Sequence, residues 1–200
     1  MYFYEKETPE EVKAIIKKDT YLKNRKKGSQ GEEVVEYALS WLPNEYINIP
    51  QESVGRYGQN CILICNSSFR QETQEYDHII VGPQGVFLVE TKNFVGEITI
   101  DAEGNWTRRK PGQGIVGERN PIQQIRRHEK LMKTIVDDVN IISIMCLSHP
   151  KVVVQGTENA PVKIVKSDLL CEYIENYETE KLLKQDEIQA VVDKIRSYIV

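Results

Sequence analysis

The chain predicts an α/β fold in which a mixed β-sheet core is flanked by α-helices. Three observations carry this: helical apolar stripes near both ends, short apolar strand segments between them, and a strand–turn–strand unit built on a tight GPQG turn. The composition fits a globular chain. Of 200 residues, 40% are hydrophobic and 28% charged, enough to bury a core unaided.

Residues 8–27 read as a helix, with Thr8 and Glu11 as a capping box and Pro9 at a favoured first position. KNRKKGSQG then breaks the pattern and marks a hinge, dividing an N-terminal helical extension (1–27) from a domain over 28–200. A second helix is expected to start after Gly31, with Val34, Val35, Ala38, Leu39 and Leu42 on one stripe and Pro43 as its stop. Tyr46 to Pro50 and Cys61 to Cys65 read as strands. Tyr76 to Val81 and Val86 to Lys92 form a hairpin across GPQG, and Glu97 to Asp101 with Asn105 to Arg108 form another around Glu103-Gly104. A helix follows from Pro121 to Val136, then strands at Ile141 to Leu147, Lys151 to Val154 and Val162 to Val165. A short helix over Ser167 to Ile174 precedes a terminal one striped by Leu183, Ile188, Val191, Val192, Ile195 and Ile199.

No apolar run approaches the ~18–20 residues of a membrane helix. MYFYEKETPEEVK lacks an apolar stretch after a basic start, so the expectation is a cytoplasmic protein. The four cysteines form no CxxC pair, which argues against zinc, and Cys61 and Cys65 read as small core residues of a reducing compartment. The net charge of −4 speaks against an avid, sequence-independent nucleic-acid coat. The charge is uneven, however. Residues 105–130 hold Arg108, Arg109, Lys110, Arg119, Arg126, Arg127 and Lys130 against Glu118 and Glu129, a basic island suited to phosphates.

The informative segment is YDHIIVGPQGVFLVETKN. If the loop is Gly82 to Gly85, Val81 opposes Val86, Ile79 opposes Leu88 and Asp77 opposes Glu90. One face then carries Asp77, Ile79, Val81, Val86, Leu88, Glu90 and Lys92, and the other His78, Ile80, Phe87, Val89 and Thr91. Two carboxylates about 5 Å apart repel. A hard divalent ion relieves this, held by one or two carboxylates with the Thr91 carbonyl as a further ligand. Lys92 is placed to orient or deprotonate water, or to stabilise charge on a phosphorane-like transition state. A salt-bridge cluster at a sheet edge is the alternative.

Gly31-Glu32, Asp77-His78, Glu90-Thr91-Lys92-Asn93, Gly96, Trp106 and Asn120-Pro121-x-x-Gln124 together resemble the NERD (nuclease-related) domain of the restriction-endonuclease-like superfamily, whose signature is Asp followed by Glu-x-Lys on a hairpin. Tyr76 stands where that superfamily often has Pro. The resemblance implies a restriction-endonuclease-like core with Asp77 and Glu90 as metal ligands and Lys92 as the catalytic lysine. It gives Glu32 as the helix acid that supports the ion, with adjacent Glu33 as its alternative, and Gln124 as a further residue of the pocket. The implied activity is Mg2+- or Mn2+-dependent phosphodiester hydrolysis in DNA, with RNA the other substrate class. The rival is an inactive nucleic-acid- or protein-binding module of the same fold. Arg108, Arg109, Arg126 and Arg127 are the expected phosphate contacts. Trp106 and Tyr57 could stack on bases, although Trp106 reads more simply as core, and His128 as a structural helix histidine.

Overall fold

The computed structural model describes residues 26–51, 53–54, 60–66, 72–110, 112, 114–118 and 120–200. The predicted extension up to residue 25, Tyr57, Arg119 and the side chains of Cys61 and Cys65 lie outside the described residues.

Helix α1 is described over residues 26–39. Strands β1 (Ile47–Ile49), β5 (His78–Gly82), β6 (Gly85–Lys92), β10 (Ile141–Leu147) and β12 (Lys163–Lys166) form the central sheet, in the order β1-β5-β6-β10-β12. β1, β5 and β6 run antiparallel in succession, whereas β6, β10 and β12 are parallel. The fold is therefore α/β with a mixed sheet. Helix α3 (Leu170–Glu175) joins α1 on one face, where Val35, Leu39, Leu170 and Ile174 cover Ile80, Phe87 and Val89. Helices α2 (Ile122–Ile135) and α4 (Gln185–Arg196) cover the other, where Leu131, Met132, Ile188 and Ile195 meet Ile79, Val81, Val86 and Leu88. Alternate residues of the hairpin thus feed two different cores, as a period of two requires.

A second sheet, β11-β7-β8-β9, comprises β7 (Glu97–Ile100), β8 (Trp106–Lys110), β9 (Gly114–Gly117) and β11 (Val153–Gln155). It packs Ile98, Ile100 and Trp106 against Ile122 and Ile125 of α2 and against Met145 and Leu147. Trp106 is 3% exposed, a core residue rather than a stacking platform. A third sheet joins β2 (Ser53–Val54), β3 (Asn60–Asn66) and β4 (Glu72–Tyr76).

Two sequence expectations are corrected. The helix expected after Gly31 already includes Lys26, so the supposed hinge is helical across Gly28, Ser29 and Gly31. The reason is tertiary. Asn93 Nδ2 donates to the Lys27 carbonyl at 2.7 Å, and a Cβ on Gly31 would lie 2.7 Å from Ser148 Oγ and 2.8 Å from Asn93 Cβ. Glycine is used here for close approach, which outweighs its cost within a helix. Likewise, Lys151 to Val154 shrinks to β11, which leaves the central sheet to pair with β7.

Candidate active site

The β5–β6 hairpin is tighter than a four-residue loop. Gly82 pairs with Gly85, leaving Pro83 and Gln84 as the turn, while Val81↔Val86 and Ile79↔Leu88 hold the expected register. Gly85 has φ +135, and a Cβ there would meet the Asn140 carbonyl oxygen at 2.3 Å, so glycine alone fits.

At the open end of this hairpin the charged residues meet. Asp77 sits at the bend between β4 and β5, where its Oδ2 accepts the Thr91 N–H at 2.7 Å and Gln51 Nε2 donates to its carbonyl. Glu90 is 3% exposed; its Oε1 accepts from Lys92 Nζ, and its Oε2 is buried with no hydrogen-bond partner among the described residues. His128 Nδ1 stands 3.5 Å from that oxygen. The His128 ring stacks on Tyr76 at 4.5 Å, and the Tyr76 hydroxyl donates to the His128 carbonyl at 2.8 Å. Tyr76, Ile125 and His128 line a niche beneath Asp77 and Glu90.

The electrostatics are those of crowded acids. Burial, then the charge of Glu90, raises the Asp77 carboxyl to about 6. Burial, then Asp77 and Glu90, raises Glu32 to about 7. Burial opposes the charge of Lys92, but Glu90, Asp77 and Glu32 outweigh it and hold the ammonium above its usual range. Burial, assisted by Lys92 and Arg127 and opposed by Asp77, lowers His128 to about 4, so the ring is neutral near pH 7.

Asp77, Glu90, Lys92 and Glu32 therefore converge. Glu33 is exposed, its Oε1 accepting from Ser29 Oγ at 3.4 Å, and its charge acts on Glu32 less than those of Asp77 and Glu90 do. Gln124 is half-buried in the first turn of α2 and outside the lining of the niche. Asn120 has a local structural role, its Oδ1 accepting the Ile122 N–H at 2.9 Å as α2 begins. Of the four arginines, Arg126 and Arg127 are exposed on α2. Arg108 is ion-paired to Glu118 at 2.8 Å and lies over the Phe94 ring, and Arg109 is paired to Glu97 at 3.3 Å. The sequence reading missed the approach of His128 to Glu90. It also missed the bonds of Glu36, which touch residues far away in sequence.

Among the described residues, no three His, Cys, Asp or Glu side chains are arranged to hold a metal ion. The donor set still suits a hard divalent ion. Two adjacent carboxylates are present, one with a buried orphan oxygen, and such an ion takes few protein ligands and keeps its waters.

A mixed sheet covered by helices on both faces, with Asp and Glu-x-Lys at the open end of its hairpin, defines the restriction-endonuclease-like class. The nuclease-related domain (NERD) family model matches residues 27–148, and the chain belongs to that family. An uncharacterised protein of Bacillus anthracis is 29% identical over 178 residues, covering 84% of this chain and 75% of that protein. No solved structure matches the chain. No helix among the described residues is long and apolar enough to cross a membrane.

Proposed function

We propose that this protein is a metal-dependent nuclease that hydrolyses phosphodiester bonds in DNA, acting in the cytoplasm. The observation that carries the reading is the convergence of Glu32, Asp77, Glu90 and Lys92, where burial, then repulsion among the acids, raises the Glu32 and Asp77 carboxyls well above their ordinary values despite the lysine. Asp77 and Glu90 are the residues that would hold Mg2+ or Mn2+, Glu90 through its unpartnered Oε2. When bound, such an ion polarises a phosphoryl oxygen and acidifies its water. Lys92 stays protonated at neutral pH, so its Nζ donates hydrogen bonds to the water or to the charge that develops on phosphate. Glu32, beside this pair, would support the ion or its water. Arg126 and Arg127, exposed on α2, grip the phosphate backbone.

The second reading is a catalytically inactive nucleic-acid- or protein-binding module. The pairing of Arg108 and Arg109 with acids reduces the basic surface free for phosphates and favours the protein-binding form of this module. The test is cleavage of single-stranded, duplex and branched DNA, and of RNA, with Mg2+ or Mn2+, beside Glu90→Ala. Metal-dependent cutting lost in the variant supports the nuclease. Metal-independent binding without cutting supports the module.

A further inference from the structure

One turn after Glu32, helix α1 carries a second carboxylate, and both its oxygens are engaged. Glu36 Oε2 lies 3.1 Å from His78 Nδ1, and Glu36 Oε1 accepts from Asn48 Nδ2 at 3.0 Å. The partners sit on two neighbouring strands, Asn48 on β1 opposite Ile80 of β5, and His78 on β5 itself. The His78 side chain is fully buried, whereas that of Glu36 is 52% exposed. His78 Nε2 is buried without a partner among the described residues, so among them the bond to Glu36 is the one that fixes the ring. This bond to His78, ahead of the cost of burial, holds the Glu36 carboxyl below its usual range. Opposite a carboxylate oxygen, which only accepts, Nδ1 is the donor.

The juxtaposition is specific. His78 follows Asp77 directly, Asp77 at the bend and His78 at the start of β5. Glu32 and Glu36 are four apart and share a helix flank. Fixing Glu36 to His78 therefore fixes Glu32 relative to Asp77. Such fixing is needed, because Asp77 and Glu90 repel Glu32 and a loosely held helix would turn it away. A half-exposed carboxylate contributes little to global stability. The value of this one lies in geometry.

We infer that Glu36, His78 and Asn48 form a positioning clamp that sets the rotation and height of α1 over β5 and so holds Glu32 in the acid cluster. The inference rests on the metal-dependent reading above. It is tested by a double-mutant cycle read as Mn2+ affinity by calorimetry on the full chain: wild type, Glu36→Ala, Glu32→Gln and the double variant. Glu36→Ala is expected to weaken Mn2+ binding about tenfold, as loss of an outer-shell partner does. In the Glu32→Gln background the same change should cost less than about twofold, because the residue it positions is already disabled. Glu36→Gln, which keeps an acceptor for His78, should restore affinity to within about threefold of wild type. Equal losses in both backgrounds, or no loss in either, would overturn the clamp. Should Glu36→Ala not fold, Asn48→Ala enters the same cycle with the same criteria. A wild-type protein that binds no Mn2+ would instead remove the metal site itself, a different failure from an additive cycle.

Discussion

The two ends of the β5–β6 hairpin are built on opposite terms. At the turn, polar groups are satisfied. Gln84 Oε1 accepts from the Tyr46 hydroxyl at 3.0 Å and its Nε2 donates to the Glu175 carbonyl at 3.1 Å. Pro83 O and Asn140 O accept the N–H groups of Leu183 and Val86 at 2.7 and 2.8 Å. At the open end, three carboxylates crowd around one lysine and Glu90 Oε2 has no hydrogen bond among the described residues. A structural end satisfies its polar groups, whereas an end kept for chemistry retains repulsion that a ligand would relieve. The buried strands between them let the first hold the second in place.

The largest way to test this contrast is at the open end. Lys92→Ala should lower cleavage by about 10²–10³-fold, the scale of losing a transition-state donor. Folding and most metal binding should survive. Glu90→Ala should lose metal response and cleavage together. Undiminished single-turnover cleavage by Lys92→Ala would remove the lysine from the mechanism.

At the turn end the expected change is in stability. Gly85→Ala should cost about 2–3 kcal/mol, from backbone strain and the collision with Asn140, in urea unfolding. The folded fraction should keep its Mn2+ affinity. A change in that affinity would show that the two ends are not independent.

A smaller effect should appear in the pH dependence of the metal-free protein. Below pH 4.5, the ordinary value, the Glu32 carboxyl is protonated whether the chain is folded or not, and its contribution is fully present. As pH rises from there towards about 7, the unfolded chain releases the proton and the folded chain keeps it, so stability is lost. Glu32→Gln should flatten this fall and stabilise the protein at pH 8 by on the order of 1–2 kcal/mol. Thermal midpoints at pH 5 and pH 8 measure it, and an unchanged difference between them would contradict the crowding.

The smallest effect separates the arginines. Arg126→Ala with Arg127→Ala should weaken duplex binding and reduce the log–log salt slope by about one unit for each phosphate no longer neutralised. Arg108→Ala should change salt dependence less and stability more, because Arg108 is already paired with Glu118. Equal salt slopes for both variants would erase the distinction between paired and free arginines.

The hairpin register was legible because a period of two and a glycine-bounded turn are local signals, and they aligned Ile79 with Leu88 as observed. The start of α1 was not legible. Gly28, Ser29 and Gly31 read as breakers, and what makes them helical is Asn93 and Ser148, far along the chain. Strand β9 was missed for a related reason: Gly114 and Gly117 have weak strand preference, and pairing with β8 makes them extended. The Glu32 position was anticipated from Gly31-Glu32, but the bond from Glu36 to His78 spans 42 residues and leaves no trace in local spacing.

The parallel pairing of β6 with β10 bears on the order in which the molecule assembles. Val86 pairs with Ile141, so that ladder closes a loop of roughly fifty residues, whereas β5 and β6 meet through a two-residue turn. Hairpins form on a scale of about 1–10 μs, and long-range parallel pairing is far slower. Asp77, Glu90 and Lys92 are therefore joined by a local unit, while Glu32 reaches them through the packing of α1 on the central sheet. The acidic pair thus depends on a short loop closure, whereas the complete cluster depends on closing a span of roughly forty-five residues between α1 and the hairpin.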